Sequence, residues 1–316
     1  MPLTKSPTTI QLAMSELFGT FILILIGNGS VVSEVLYHLF EGGHVNVLSI
    51  NIAYGLGVTF GVYVAFKSGG HLNPAVTIVQ LLFGNLKVLT ALVYVVSQFS
   101  GAILASFVLH MNYYAGFEKF LDAQNGNDTI LQNVKIHGKD IFRDDICPGE
   151  EKLLIVAGSF STFPHSSLNN TSRFNLAYFD QILGTFILLF LIQAITDQKS
   201  PNKVSPESAP IVVGLIVLAI GQSLGINCGY AINPARDLGP RMYMKIAGFK
   251  NVFGCEGLAG TYWTIPVIGP ILGAVLGAVF YNLAIGDGTW NGKRTSEDES
   301  VELKNLNDPG QFIEEK

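Results

Sequence analysis

The sequence predicts an all-α membrane protein with six membrane-spanning helices and two half-helices that enter the membrane without crossing it. Of its 316 residues 49% are hydrophobic and only 14% are charged, whereas soluble domains carry about 25% charged residues. Six apolar stretches have about the 20 residues that a spanning helix needs; they are 12–36, 46–66, 88–110, 177–196, 209–226 and 262–285. The tripeptide Asn-Pro-Ala occurs at 73–75 and again at 233–235, each time after a long apolar stretch.

Each Asn-Pro-Ala copy predicts the start of a short helix. Asn is a strong N-cap residue, and Pro suits the first helical position because its missing N–H would be unpaired there anyway. The apolar residues that follow are too few to span a bilayer, since the first run meets Gly84-Asn85 and the second meets Lys245. We therefore predict half-helices at 73–83 and 233–244.

The chain is a duplication of one unit of three spans and a half-helix, which gives repeats at 12–111 and 176–285. Segment 16–23 matches segment 181–188 at an offset of 165, and the two Asn-Pro-Ala copies are 160 apart. An odd number of spans forces the second unit to enter the membrane upside down. The positive N-terminal ends of the two half-helices then meet near the midplane, as in pores and carriers built from inverted repeats.

Outside the repeats the sequence predicts an N-terminus at 1–11, a long polar loop at 112–175 and a charged, disordered tail at 286–316. The loop contains three N-glycosylation acceptors, Asn127, Asn169 and Asn170. If these are used, the loop is extracellular and both termini are cytoplasmic. The Lys and Arg residues do not decide the orientation, because long loops are exempt from the positive-inside rule. We expect a multi-pass protein of the plasma membrane.

Small residues recur every fourth position in two spans. They are Ser97, Gly101 and Ala105 in the third, and Gly269, Gly273 and Gly277 in the last. This spacing lets helices approach closely in lipid, and we expect these residues to serve packing.

The segments Ser68-Gly69-Gly70-His71-Leu72-Asn73-Pro74-Ala75-Val76 and Ile232-Asn233-Pro234-Ala235-Arg236-Asp237-Leu238-Gly239-Pro240-Arg241 resemble the aquaporin family. The Asp after Asn-Pro-Ala-Arg, the Gly-Pro-Arg that follows, Phe179-Asp180-Gln181 and Ile265-Pro266-Val267 are similar to its glycerol-conducting branch, the aquaglyceroporins. The resemblance implies the aquaporin-like fold and a homotetramer with a pore in each protomer. It also implies passive conduction of glycerol and water, with urea or other small neutral solutes as further candidates, and exclusion of ions and protons.

Two kinds of polar residue follow from the chain itself. If Asn73 and Asn233 cap their half-helices, their side-chain oxygens face the backbone and their amide groups face the lumen as hydrogen-bond donors. A charge within a span is a candidate functional group, which singles out Glu16 and Arg236. A salt bridge from Arg236 to Asp237 is the alternative role, although adjacent helix residues do not face each other.

The resemblance assigns roles to further residues. Arg236 belongs to the selectivity constriction, together with Gly221, Tyr230 and Tyr54. Gly221 and Tyr230 follow from their spacing to Asn233; Tyr54 follows from Tyr54-Gly55-Leu56-Gly57, although it lies one residue closer to Asn73 than usual. Gly221 would remove bulk and widen the neck, with the tyrosine faces along one wall. As the alternative, both tyrosines would be aromatic residues of the lipid interface. Supporting roles fall to Glu16, Gln181, His71 and Asp237, which would steady the loops and half-helices.

Several alternatives stay open. A water-selective channel is disfavoured by Gly221 and Asp237, and a secondary transporter would need more ionisable groups at midplane than the two found. Cys147 and Cys255 could form a disulfide bond outside the membrane. No zinc-binding His pair, nucleophile motif or Gly-rich phosphate loop falls in a predicted pore-facing position, so we expect no enzyme, no cofactor, no metal and no nucleic-acid partner.

Overall fold

A computed structural model describes residues 6–42, 44–122, 151–165, 168, 171–249, 252–253 and 258–286. Within these residues all regular secondary structure is helical. The α-helices, numbered here α1 to α10, are Thr9–Glu41, Val47–Val64, Pro74–Leu82, Val88–Asn112, Tyr114–Asp122, Glu151–Phe160, Thr171–Thr196, Ala209–Cys228, Pro234–Ile246 and Ile265–Ala284. A 3₁₀ turn at Leu258–Thr264 precedes the last helix.

Six of these helices, α1, α2, α4, α7, α8 and α10, are long and apolar enough to cross a membrane. They coincide with the six predicted apolar stretches, and α1 extends beyond its stretch at both ends. Helices α3 and α9 have 9 and 13 residues, which is too short for a bilayer that needs about 20. The predicted fold class, six spans and two re-entrant half-helices in an inverted repeat, is confirmed.

The two repeats pack in the same way. Helix α1 lies against α2 and α4, and its counterpart α7 lies against α8 and α10; α2 and α8 join the two repeats. The small residues lie at the closest crossings, where a Cβ on Gly101 would collide with the carbonyl of Leu17 and one on Gly273 with that of Ile182. Leu17 and Ile182 are 165 residues apart, which is the offset of the repeat, so the same close approach occurs twice.

The described part of the long loop between α4 and α7 contains the helices α5 and α6, which the sequence analysis did not predict. Helix α6 packs against α1 and α9, and its last residue, Phe160, is buried.

Some predictions fall on residues outside the described part of the chain. These are the glycosylation acceptors Asn127, Asn169 and Asn170, the cysteines Cys147 and Cys255, and the tail from residue 287. They remain predictions.

Candidate functional site: a narrow neck above two crossed half-helices

The two half-helices meet through their capping asparagines. The Asn73 side-chain oxygen accepts from the backbone N–H of Ala75 at 2.9 Å, and the Asn233 oxygen accepts from those of Ala235 and Arg236. Each amide nitrogen then crosses to the other loop: Asn73 Nδ2 donates to the carbonyl of Ile232 at 2.9 Å, and Asn233 Nδ2 donates to that of Leu72 at 2.8 Å. One N–H of each amide is therefore used between the loops, and the second N–H is left for the lumen.

The residue before each asparagine adopts a left-handed backbone. Leu72 has φ 52° and Ile232 has φ 42°, a conformation that is costly for branched side chains and that persists only when its surroundings impose it. In each repeat one buried side chain on the first helix holds that residue. Glu16 accepts from the N–H of Leu72 at 2.8 Å, and Gln181 accepts from the N–H of Ile232 at 3.1 Å.

Glu16 is fully buried, and its carboxylate is surrounded by donors. Besides Leu72 it accepts hydrogen bonds from the Ser68 hydroxyl, the His71 backbone N–H and the Gln98 amide, at 2.6 to 2.9 Å. Charge-assisted bonds of this length are about twice as strong as neutral ones. The arrangement explains how a carboxylate is tolerated inside a span, and it holds the loop that leads to the first half-helix.

His71 lies on that loop and faces the lumen. Its Nδ1 lies 3.1 Å from the Thr77 hydroxyl, and its ring packs edge-on against Tyr94. Thr77 also accepts from Gln98, so His71 joins the network that surrounds Glu16. These contacts are those of a side chain that braces the loop.

A cavity of about 1100 Å³ runs from the side opposite the long loop to the crossed asparagines and beyond. At the end opposite the long loop it is lined by the ends of α3 and α7 and by the segment before α8, including Gln80, Thr196 and Glu207. Asn73 and Asn233 line its middle, and Tyr54, Tyr230 and Arg236 line its far end. Apart from Gly221, the residues predicted for the constriction and for the central donors thus share one continuous space.

The far end of the cavity, called the neck here, is lined by two aromatic rings and one cation. Tyr54 and Tyr230 meet edge to face with ring centroids 5.9 Å apart, and the Arg236 guanidinium lies 4.8 Å from the centre of the Tyr54 ring. All three side chains are less than a tenth exposed. Arg236 Nη1 is buried and has no hydrogen-bond partner among the described residues. A buried donor without a partner costs about 1–3 kcal/mol, and a hydroxyl group passing through the neck would satisfy it.

Gly221 is not among the residues that line this cavity, and its place in the constriction stays a prediction. A Cβ on Gly221 would lie 2.6 Å from Cζ of Tyr230 and 2.8 Å from Oδ1 of Asn51. The space that the missing side chain leaves is therefore filled by the Tyr230 ring. Gly221 affects the neck by making room for Tyr230 behind the wall.

Asp237 bonds to Arg241 in the structure, and the alternative role for Arg236 as its salt-bridge partner is not realised. Arg241 Nε lies 2.5 Å from Asp237 Oδ1, with both side chains buried. The other carboxylate oxygen accepts from the backbone N–H and the hydroxyl of Thr162, and Arg241 donates to the carbonyls of Thr162 and Val252. This pair ties the second half-helix to the end of the long loop.

Sequence reasoning missed Arg241, Gln98 and two buried asparagines, Asn28 and Asn51. The hydroxyl of Tyr54 donates to Asn28 Oδ1, and the hydroxyl of Tyr230 donates to Asn51 Oδ1, each at 2.5 Å. Asn28, Asn51 and Gln98 lie within apolar spanning helices, and Arg241 lies in the half-helix α9. Their polarity there was the available signal, because polar residues inside a membrane are expensive and mark function.

Comparison with known proteins shows the family of the chain. The family model described as Major intrinsic protein matches residues 3–281. Aquaporin-9 of Homo sapiens is 36% identical over 86% of this chain and 81% of its own length, and the glycerol uptake facilitator protein of Escherichia coli is 33% identical over 90% and 91%. Aquaporin-10 of Milnesium tardigradum is 41% identical over 87% of this chain, which spans only 63% of that longer protein.

A solved structure gives the same result for the fold. The X-ray structure of the aquaglyceroporin from Plasmodium falciparum superposes with a TM-score of 0.68 at 26% identity, covering 89% of this chain and 99% of that one. Because the family model spans most of the sequence, the chain belongs to the major intrinsic protein family.

Proposed function

We propose that this protein is a passive channel for glycerol and water that excludes ions and protons. The observation that carries the proposal is the buried, unpartnered Nη1 of Arg236 beside the rings of Tyr54 and Tyr230. A polyol has hydroxyl groups along one edge and C–H groups along the other. The guanidinium offers hydrogen bonds to the first edge, and the aromatic rings offer apolar contact to the second.

The middle of the cavity favours neutral solutes. The N-termini of α3 and α9, which meet at Asn73 and Asn233, contribute positive partial charge, and both amides donate hydrogen bonds. Cations are repelled there and again at Arg236. A water molecule whose oxygen accepts from the asparagines is oriented by them, and such orientation interrupts a proton-conducting chain. We assign the central donor role to the two asparagines and the selectivity role to the neck.

The relatives support the class of function. They are named as aquaporins, aquaglyceroporins and a glycerol facilitator, so the family consists of channels, and passive conduction needs no covalent chemistry. We further propose that the protein lies in the plasma membrane with both termini cytoplasmic and the long loop outside. We also propose that it forms a homotetramer with a pore in each protomer and that urea is a further permeant.

Stopped-flow light scattering of proteoliposomes tests the proposal. Purified protein should raise glycerol and water permeability well above those of empty liposomes, and a trapped pH dye should report no added proton leak. Fast water flux with glycerol flux at the empty-liposome rate would mean a water-selective channel. Saturable uptake that depends on an ion gradient would mean a transporter.

The matched variant is Arg236→Leu, which removes the donor and the charge and leaves a shorter apolar side chain. We expect it to lower the glycerol-to-water permeability ratio and to admit protons or small cations. Parent-like values for both would refute the role given to the guanidinium.

A further inference from the structure

The hydroxyl groups of both neck tyrosines donate hydrogen bonds to asparagines on the spanning helices. Tyr54 donates to Asn28 on α1, and Tyr230 donates to Asn51 on α2. Neither asparagine is exposed, and neither lines the cavity. The rings therefore reach the cavity while their polar ends are held behind its wall.

Asn28 uses both ends of its amide. Its oxygen accepts from Tyr54 at 2.5 Å, and its nitrogen donates at 2.6 Å to the carbonyl of Phe160, the last residue of α6 in the long loop. A buried amide inside an apolar helix is unfavourable unless it is hydrogen-bonded. The bond to the amide oxygen holds the Tyr54 ring in place, and the bond from the amide nitrogen holds the end of α6 in the long loop.

We propose that Asn28 is a positioning residue for solute selection, because its oxygen keeps the Tyr54 hydroxyl out of the lumen. The inference rests on the proposed glycerol and water conduction. Without the Asn28 oxygen, the buried hydroxyl must find another acceptor, and the nearest mobile ones are solute and water in the cavity. The ring would then turn a polar edge toward the space where the carbon side of a polyol needs an apolar wall.

The same change disturbs the cation beside the ring. Arg236 lies 4.8 Å from the centre of the Tyr54 ring, an arrangement that requires the ring face to stay turned toward the guanidinium. A rotated Tyr54 would release Arg236 from this orientation. Glycerol, which needs both the donor and the apolar wall, is affected more than water, which needs only hydrogen bonds.

A double-mutant cycle on proteoliposomes separates this role from a merely structural one. The readout is the ratio of glycerol to water permeability, because a loss of folded protein lowers both fluxes alike. We expect Asn28→Leu to lower the ratio about fivefold, the factor that corresponds to one ordinary buried hydrogen bond. In a Tyr54→Phe background, which has no hydroxyl to restrain, Asn28→Leu should leave the ratio unchanged.

Two further variants act as controls. Asn28→Asp keeps an acceptor oxygen for Tyr54 and places its second oxygen against the Phe160 carbonyl, where it must carry a proton to donate. The neutral acid keeps both contacts, so its ratio should stay within about twofold of the parent. Asn282→Leu makes the same change at another buried asparagine, which donates to the carbonyl of Ala278 in α10, and it should not alter the ratio. If Asn28→Leu does not fold, Asn28→Ala takes its place in the cycle.

Three results would overturn the inference: a parent-like ratio in Asn28→Leu, an undiminished drop in the Tyr54→Phe background, or an equal drop in Asn282→Leu. The second would assign the effect to the loop contact with Phe160. Failure of the proposed function is distinguishable, because the parent itself would then conduct no glycerol.

Discussion

Gly221 offers a sharp test of the neck geometry through the change Gly221→Ala. The added Cβ would lie 2.6 Å from Cζ and 2.9 Å from Cε2 of Tyr230, whereas carbon atoms pack at about 3.5–4.0 Å. The Tyr230 ring must therefore move by about 1 Å. Because the ring lies between Gly221 and the cavity, it moves into the lumen.

The magnitude follows from the strain. Overpacking by one methyl group in a tight site costs about 1–3 kcal/mol. If the neck relieves most of that strain by narrowing and must reverse it for each glycerol molecule, glycerol permeability falls about 5- to 150-fold. Water is thinner than the carbon chain of glycerol, so its permeability should fall less than about threefold, a difference of under 1 kcal/mol.

Stopped-flow measurement of both solutes checks this prediction, and two further variants make it specific. Gly225→Ala lies one turn further along α8, where its Cβ would meet the same ring at 3.0 and 3.3 Å, so it should have a smaller effect. Adding Tyr230→Leu to Gly221→Ala removes the colliding ring and should restore glycerol flux. Parent-like glycerol flux in Gly221→Ala, or no recovery in the double variant, would refute the reasoning.

Two further predictions concern stability and can be read from thermal unfolding in detergent. Asp237→Ala should lower the free energy of unfolding by about 3–5 kcal/mol, because it leaves Arg241 charged, buried and unpaired. Replacing both residues with apolar ones should recover much of the loss. An unchanged melting temperature in the single variant would contradict a stabilising role for the Asp237–Arg241 pair. Glu16→Gln should lower the free energy of unfolding by about 3 kcal/mol. The new amide group would face two donors, the Leu72 N–H and the Gln98 amide, and at least one charge-assisted bond would be lost. Equal stability of the variant and the parent would show that the carboxylate is dispensable.

The spans and half-helices could be predicted because their causes are local. Apolar runs of sufficient length define the six spans, and Asn followed by Pro defines a helix start wherever it occurs. The duplication also predicted the orientation of the two repeats in the membrane, because the second copy of a unit with an odd number of spans must be inverted. From that, the meeting of Asn73 with Asn233 follows without any contact being known.

The partners of buried polar groups could not be predicted, because they are set by contacts between distant segments. Asn28 and Phe160 are 132 residues apart, and Tyr230 and Asn51 are 179 apart. A polar residue inside an apolar stretch indicates that some partner exists, but the packed bundle decides which one. In the same way, the spacing that placed Gly221 at the constriction gave no information on which ring would lie beside it.

At the centre of the inverted repeat, the two halves share one backbone arrangement but support it with different side chains. Leu72 and Ile232 both adopt the left-handed conformation, and the carbonyl of each accepts a hydrogen bond from the asparagine of the opposite loop. Both loops therefore need a fixed acceptor for the backbone N–H of this residue. In the first repeat Glu16 meets several donors, and a carboxylate satisfies them all. In the second, the Gln181 oxygen accepts from Ile232 while its nitrogen donates to Asp180 at 3.1 Å.

A carboxylate in place of Gln181 would face that of Asp180, and like charges at such a distance cannot both ionise in a buried site. An amide in place of Glu16 would instead turn N–H groups toward donors. The side chains at these equivalent positions are therefore not interchangeable, although the backbones they hold are nearly the same. Divergence after duplication has kept the geometry of the crossing and has fitted each supporting side chain to the charges of its own repeat.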